Sequence, residues 1–97
     1  MQSALMYIPK YPDPQCRKLI DRLIEAFNGL TINGFATGMW RNPEGKVISE
    51  NVYLMECIIP KTPEAECALM EILLQYKEDA EQTSVLYKLN NNPIFLN

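Results

Sequence analysis

The stretch FATGMWRNPEGKVISENVYLMECII, residues 35–59, decides the fold. Asn42-Pro43-Glu44-Gly45 is a turn signal, with Pro fixing one backbone angle and Gly supplying a conformation that other residues avoid. On either side lie Phe35–Arg41 and Val47–Ile59, the second rich in Val, Ile and Tyr. Two extended runs around a four-residue turn read as a β-hairpin. A loop over Thr31–Gly34 leads into it, and Gly34 and Gly38 suggest a bulge or a close backbone approach.

Working outward, each side of the hairpin carries the same helix signal. Asp13-Pro14 and Thr62-Pro63 both place a capping side chain before a proline suited to the first helical turn. Cys16, Leu19, Ile20, Leu23, Ile24 and Phe27 then recur at helical spacing, up to a stop at Asn28-Gly29. Ala65, Ala68, Leu69, Ile72, Leu73 and Tyr76 repeat that spacing within a helix placed over residues 62–82. Cys67, Met70 and Leu74 form a second apolar row beside it, either a wider core face or a partner surface. Residues 3–8 and 84–89 complete the pattern as strands, the first apolar on both faces as an inner strand would be. Pro9–Pro12 is a rigid connection. After the turn Asn90-Asn91-Asn92-Pro93, the tail Ile94-Phe95-Leu96 needs a partner, in its own sheet or in another subunit.

The order β-α-β-β-α-β plus a tail strand predicts an α+β, ferredoxin-like sandwich. An antiparallel sheet carries two helices on one face, and the other face is left for a dimer partner or ligand. At 97 residues the chain is one domain, residues 1–97.

Composition removes several chemistries. There is no His, so the commonest general base, most zinc sites and any His-based triad are excluded. Nine basic residues against twelve acidic ones give a net charge of −3, which disfavours binding along phosphates. The acids concentrate over residues 62–82, where Glu64, Glu66, Glu71, Glu78, Asp79 and Glu81 oppose Lys77 alone. Cys16, Cys57 and Cys67 are an odd number with no CxxC pair, and read as buried small apolar residues in a reducing compartment. Cys57 lacks a His to activate it as a nucleophile. No metal-ligand cluster, phosphate-cradling glycine loop or nucleophile elbow occurs, and no cofactor is expected. Met1 to Ile8 is short, has no basic start and is soon followed by Pro9 and Pro12, unlike a signal peptide. No apolar run reaches the ~20 residues of a membrane helix. The expected location is cytoplasmic, with no membrane partner.

Three groups of residues are candidates for a site. Trp40, the only Trp, and Arg41 stand just before the turn and suggest an aromatic and cationic platform for a planar or anionic ligand. Glu50 and Glu56 share one face of a regular strand with Val52, Leu54 and Ile58, so each is either an acid among apolar neighbours with a raised pKa, suited to acid–base chemistry, or paired with an Arg or Lys or placed at an edge. Tyr76, Gln82 and Ser84 flank the junction from helix to strand, to cap it or to hold a ligand.

Phe27-Asn28-Gly29-Leu30-Thr31, then Gly38-x-Trp40-Arg41 with Gly45 and Glu50, then Tyr76-Lys77 and Gln82-Thr83-Ser84-Val85-Leu86, resemble the bacterial domain-of-unknown-function 3574 family over about residues 26–88. The resemblance implies a small α+β sandwich and picks out Trp40, Arg41, Glu50, Tyr76, Gln82 and Ser84 as family-pattern positions. Met39 departs from the pattern where a Gln is expected, and Glu78-Asp79-Ala80-Glu81 where basic residues, an aromatic and a Gly are expected. Anion binding at that junction is therefore not carried over. Members often carry an export signal, which the first residues here do not resemble.

Three functional readings follow. The leading one is a non-catalytic binding module, a dimer or larger homo-oligomer that binds a small molecule or a protein partner. A sequestering or inhibitory protein of a mobile element or phage would fit it. Its interface would use Cys67, Met70 and Leu74 and the tail Ile94, Phe95 and Leu96. The second is a small cofactor-free oxygenase or isomerase with Trp40, Tyr76, Arg41 and Glu50 lining a site between sheet and helices. The third, a nucleic-acid binder using Tyr53 and Tyr87 on an exposed sheet, is disfavoured by the charge.

Overall fold

The computed structural model describes residues 1–9 and 13–97. Its elements are β1 (Gln2–Pro9), α1 (Asp13–Phe27), β2 (Thr31–Arg41), β3 (Val47–Ile59), α2 (Pro63–Asp79), β4 (Val85–Leu89) and β5 (Asn92–Leu96). The fold is α+β, with two helices and a five-stranded antiparallel sheet of order β2-β3-β1-β4-β5. The connection expected over Pro9–Pro12 lies, beyond Pro9, outside the described residues, as does the capping role of the Asp13 side chain.

β1 sits at the centre, pairing with β3 from Gln2↔Ile59 to Pro9↔Val52 and with β4 from Ala4↔Leu89 to Tyr7↔Leu86. Alternation gives it two faces. Ala4, Met6 and Ile8 are fully buried and join Met55, Cys57 and Ile59 of β3 and Val85, Tyr87 and Leu89 of β4. Both helices close that same core, α1 with Cys16, Leu19 and Leu23 and α2 with Leu69, Leu73 and Tyr76. The apolar periods of the two helices thus mark their buried stripes, apart from Ile24, which stays exposed. An ion pair of 3.3 Å from Arg22 Nη1 to Asp79 Oδ2 joins the helices, and Gln75 and Arg22 hold the Asp79 carboxyl below the usual carboxylate range. At one end of β1, the buried Gln2 donates through Nε2 to Glu66 Oε2 (3.0 Å) and accepts at Oε1 from Asn90 Nδ2 (3.2 Å). Gln2 thereby ties β1 to α2 and to the β4–β5 turn.

The structure corrects the sequence reading in several places. Thr31–Gly34 is not a loop but the start of β2, irregular between Ile32 and Phe35, where Gly34 takes φ +86°. Gly takes that conformation without the steric cost a Cβ would bring, and the bulge includes Gly34. At Gly38 an added Cβ would meet the Glu50 carbonyl oxygen at an ordinary 3.9 Å, so no close approach exists there. The second helix ends at Asp79 rather than running to residue 82, because Glu81 turns left-handed (φ 54°). The tail strand pairs with β4 in its own sheet. Asn90 and Asn91 both take positive φ, the backbone of a tight two-residue hairpin turn.

The other expected signals are present. The Thr62 hydroxyl accepts from Ala65 N at 3.2 Å, capping α2. At the β2–β3 turn, Asn42 N donates to the Lys46 carbonyl at 2.8 Å, and the Asn42 carbonyl accepts from Gly45 N at 2.9 Å. Asn42 Oδ1 also accepts from Lys46 N, and Gly45 takes φ +85°.

Two substitutions test these assignments by urea denaturation. Thr62→Ala removes one hydrogen-bonded cap and is expected to cost about 1 kcal/mol. Leu73→Ala empties part of the shared core and is expected to cost ~2–5 kcal/mol. Equal costs would show that Leu73 does not anchor α2 to the sheet.

Candidate functional site

β2 and β3 are longer than their neighbour. β1 ends at Pro9, opposite Val52, while the hairpin runs on through Thr37↔Asn51, Gly38↔Glu50, Met39↔Ser49, Trp40↔Ile48 and Arg41↔Val47. Among the described residues these rows have no third strand beside them and form a two-stranded arm. Met39, Trp40 and Val47 are exposed along it, and Phe35 is exposed at its base, where Tyr53 still pairs with Ile8 of β1. An isolated two-stranded ribbon is marginal in water, so these apolar side chains are an unusual load for it.

Register divides the arm into two faces. Ile32, Phe35, Thr37 and Met39 stand on the helix side with Tyr53, and the Phe35 and Tyr53 rings lie 4.9 Å apart. Between that side and α1 is an open cleft of about 200 Å³, lined by Cys16, Arg17, Ile20, Ile32, Tyr53 and Met55. Trp40, Ile48 and Glu50 stand on the open side. Trp40 and Arg41 are adjacent, so they point to opposite faces and do not form one platform. Arg41 Nη1 instead donates to the Gly45 carbonyl at 2.7 Å and braces the turn.

Glu50 is a diagonal cross-strand neighbour of Trp40, and Gly38, its directly paired residue, offers no side chain. Burial raises its pKa above the ordinary carboxylate value, while Glu56 accepts from Ser3 Oγ at 2.7 Å. Tyr76 is buried, and its hydroxyl donates to the Pro9 carbonyl at 3.4 Å. Burial pushes the phenol far up, with smaller contributions from Cys16 and from Glu50. Gln82 Nε2 donates to the Ala80 carbonyl at 3.3 Å, a local cap of the helix end. Ser84 is exposed immediately before β4. Since Leu86 pairs with Tyr7 and Val52 with Pro9, Ser84 reaches the end of the sheet from which the arm departs. The structure therefore brings Glu50, Tyr76 and Ser84 to one end of the sheet, with Trp40 farther out on the arm.

Of the proposed interface residues, Cys67 and Leu74 are exposed on α2, whereas Met70 packs against the core. In the tail, Leu96 is buried, Ile94 packs against the core, and Phe95 is exposed. Tyr53 and Tyr87 do not form an exposed aromatic platform. Both lie on the helix-covered side, and Tyr87 is buried. Cys67 also departs from expectation: it is exposed, while Cys16 and Cys57 are buried. Burial first and Glu56 second push the Cys57 thiol up to about 11, so it is a poor nucleophile near neutral pH. Among the described residues no group of three or more Cys, Asp or Glu is placed to hold a metal ion. No helix among them is long and apolar enough to cross a membrane.

Periodicity along the chain carries no signal for the Phe35–Tyr53 contact or the cleft. The contact follows from the register after the irregularity between Ile32 and Phe35, which sets Phe35 opposite Tyr53.

Two measurements follow. A thiol reagent should label one cysteine per native chain, Cys67, and the other two only on unfolding. Rapid labelling of all three would contradict the burial of Cys16 and Cys57. Glu50 has a raised folded pKa, so its contribution to stability is present below the unfolded value and lost as pH rises through the folded one. Glu50→Gln should therefore raise Tm at pH 7 and leave it nearly unchanged at pH 3. A gain confined to low pH would refute the desolvation of Glu50.

No curated protein and no solved structure matches the chain. A family model described as a protein of unknown function (DUF3574) matches residues 13–94. That span takes in α1, the hairpin, α2, β4 and the start of β5, and the chain belongs to the DUF3574 family.

Proposed function

We propose that this protein is a non-catalytic binding module, acting in the cytoplasm as a homodimer or larger oligomer, that takes a small molecule or a protein partner. The observation that carries the reading is the two-stranded arm, which exposes Met39, Trp40 and Val47 with, among the described residues, no third strand to support it, and Phe35 at its base. Apolar surface of that kind marks a place of contact. Trp40 and the nearby Glu50, with Tyr76 and Ser84 at the arm's base, define the region where a partner is held. Arg41 and Gln82 contribute by bracing the turn and the helix end. Sequestration of a partner fits this equipment better than turnover.

The fold within this reading is a ferredoxin-like sandwich extended by one edge strand. The order β2-β3-β1-β4 of the first four strands supports it, with β5 added outside β4.

The only Trp lies on the arm and reports on it directly. Native mass spectrometry should show more than one subunit, and retained ligand as mass lost on denaturation. Trp40 emission should shift to the blue as concentration or ligand buries the arm. A monomer without added mass, whose emission stays water-exposed at every concentration, would refute the proposal.

A further inference from the structure

The side of the sheet away from the helices carries its own pattern. Ser3, Leu5 and Tyr7 of β1 share it with Leu54, Glu56 and Ile58 of β3, Leu86 and Lys88 of β4, and Phe95 of β5. Contacts across the strands agree with this assignment: Ser3 Oγ bonds Glu56, and Lys88 Nζ lies 5.7 Å from the centre of the Tyr7 ring. Ile58 is 54% exposed and Phe95 62%. Leu5, Tyr7, Leu54 and Leu86 are half-buried, and no helix or strand among the described residues lies above them.

Two rows run across this face. Glu56, Leu5 and Lys88 form one, and Leu54, Tyr7, Leu86 and Phe95 the next. The strand order β2-β3-β1-β4-β5 is centred on β1. A two-fold axis parallel to β1 and lying above it would exchange the two halves of the sheet, laying β3 over β4 of the other copy. The acid of the first row would then face the base of the same row, twice. In the second row Leu54 would face Leu86, and the Tyr7 side chains would meet at the axis. The face is thus complementary to itself, as a two-fold interface requires. An axis along the strands also suits the aligned packing of twisted sheets.

The size is that of a small interface. Strands about 4.8 Å apart, ~27 Å long at β1 and β3 and ~17–20 Å long at β2, β4 and β5, give a footprint of roughly 500 Å² in each copy before the arms are counted. Both copies together then reach about 1,000 Å², the lower end for a specific interface.

We propose that the open sheet face is a homodimer interface, in which a second copy lies face to face across a two-fold axis along β1 and pairs Glu56 of each copy with Lys88 of the other. This rests on the oligomeric reading above and locates its contact on the sheet rather than on the outer row of α2. Any other occupant would have to supply counter-charges for Glu56 and Lys88, which a second copy already carries in place.

Sedimentation equilibrium on the full chain tests this, with circular dichroism confirming the fold of each variant. The wild type should be a dimer. Glu56→Lys and Lys88→Glu should each weaken it about a hundredfold or more, since each sets like charges face to face twice. The double swap Glu56→Lys/Lys88→Glu should recover most of the loss. Should a charge variant fail to fold, Phe95→Glu, at a side chain already exposed in one copy, should likewise dissociate the dimer. A dimer insensitive to these changes but dissociated by Leu74→Glu would overturn the sheet interface and leave the oligomeric reading standing. A wild type that stays monomeric at its highest soluble concentration would overturn both.

Discussion

The hydrogen bonding of β1 on both its edges is the constraint on which the rest of the structure depends. One edge holds β3 over eight rows and the other holds β4, so the two hairpins, β2–β3 and β4–β5, meet only through this strand. Ala4, Met6 and Ile8 on its inner side are the floor on which both helices sit. Its outer side carries Leu5 and Tyr7, half-buried, beside Ser3. An antiparallel sheet with helices on one side commonly turns polar side chains to water on the other, so apolar side chains there are a departure.

The unequal strand lengths follow from the same centre. Among the described residues β1 reaches Pro9, and beyond that row β2 and β3 pair only with each other. Such a ribbon cannot bury its own side chains, and Met39, Trp40 and Val47 remain in view. The acid Glu50 stands where the ribbon leaves the sheet, close enough to the packed region to be partly desolvated. The candidate site is thus a product of strand lengths rather than of any catalytic motif.

Much of the fold was legible because its signals are local. A cap followed by proline, a four-residue turn and two apolar periods mark most element boundaries by themselves. The misread stretch, Thr31–Gly34, fails for a local reason as well: Asn33-Gly34 looks like a loop, and only pairing with β3 makes it a bulged strand. The candidate site was less legible. Whether Trp40 and Arg41 act together depends on which face each occupies, and alternation separates them. Cys67 has the composition of a core residue but sits on the outer side of α2, because the helix needs only the stripe of Leu69, Leu73 and Tyr76 to cover the sheet. The Glu56–Leu5–Lys88 row joins three strands distant in sequence, and no reading of periods along the chain can align them.

The place of β1 in the sheet also sets the order in which the chain can fold. Ala4 must meet both Cys57 and Leu89, contacts of high sequence separation, whereas each hairpin closes over a few residues. Local pairs form early and distant ones late. During synthesis β1 leaves the ribosome before the helices and hairpins, yet it is the last strand to be satisfied on both edges. Until Leu89 has emerged, an apolar strand with at least one unpaired edge is open to pairing with neighbouring chains.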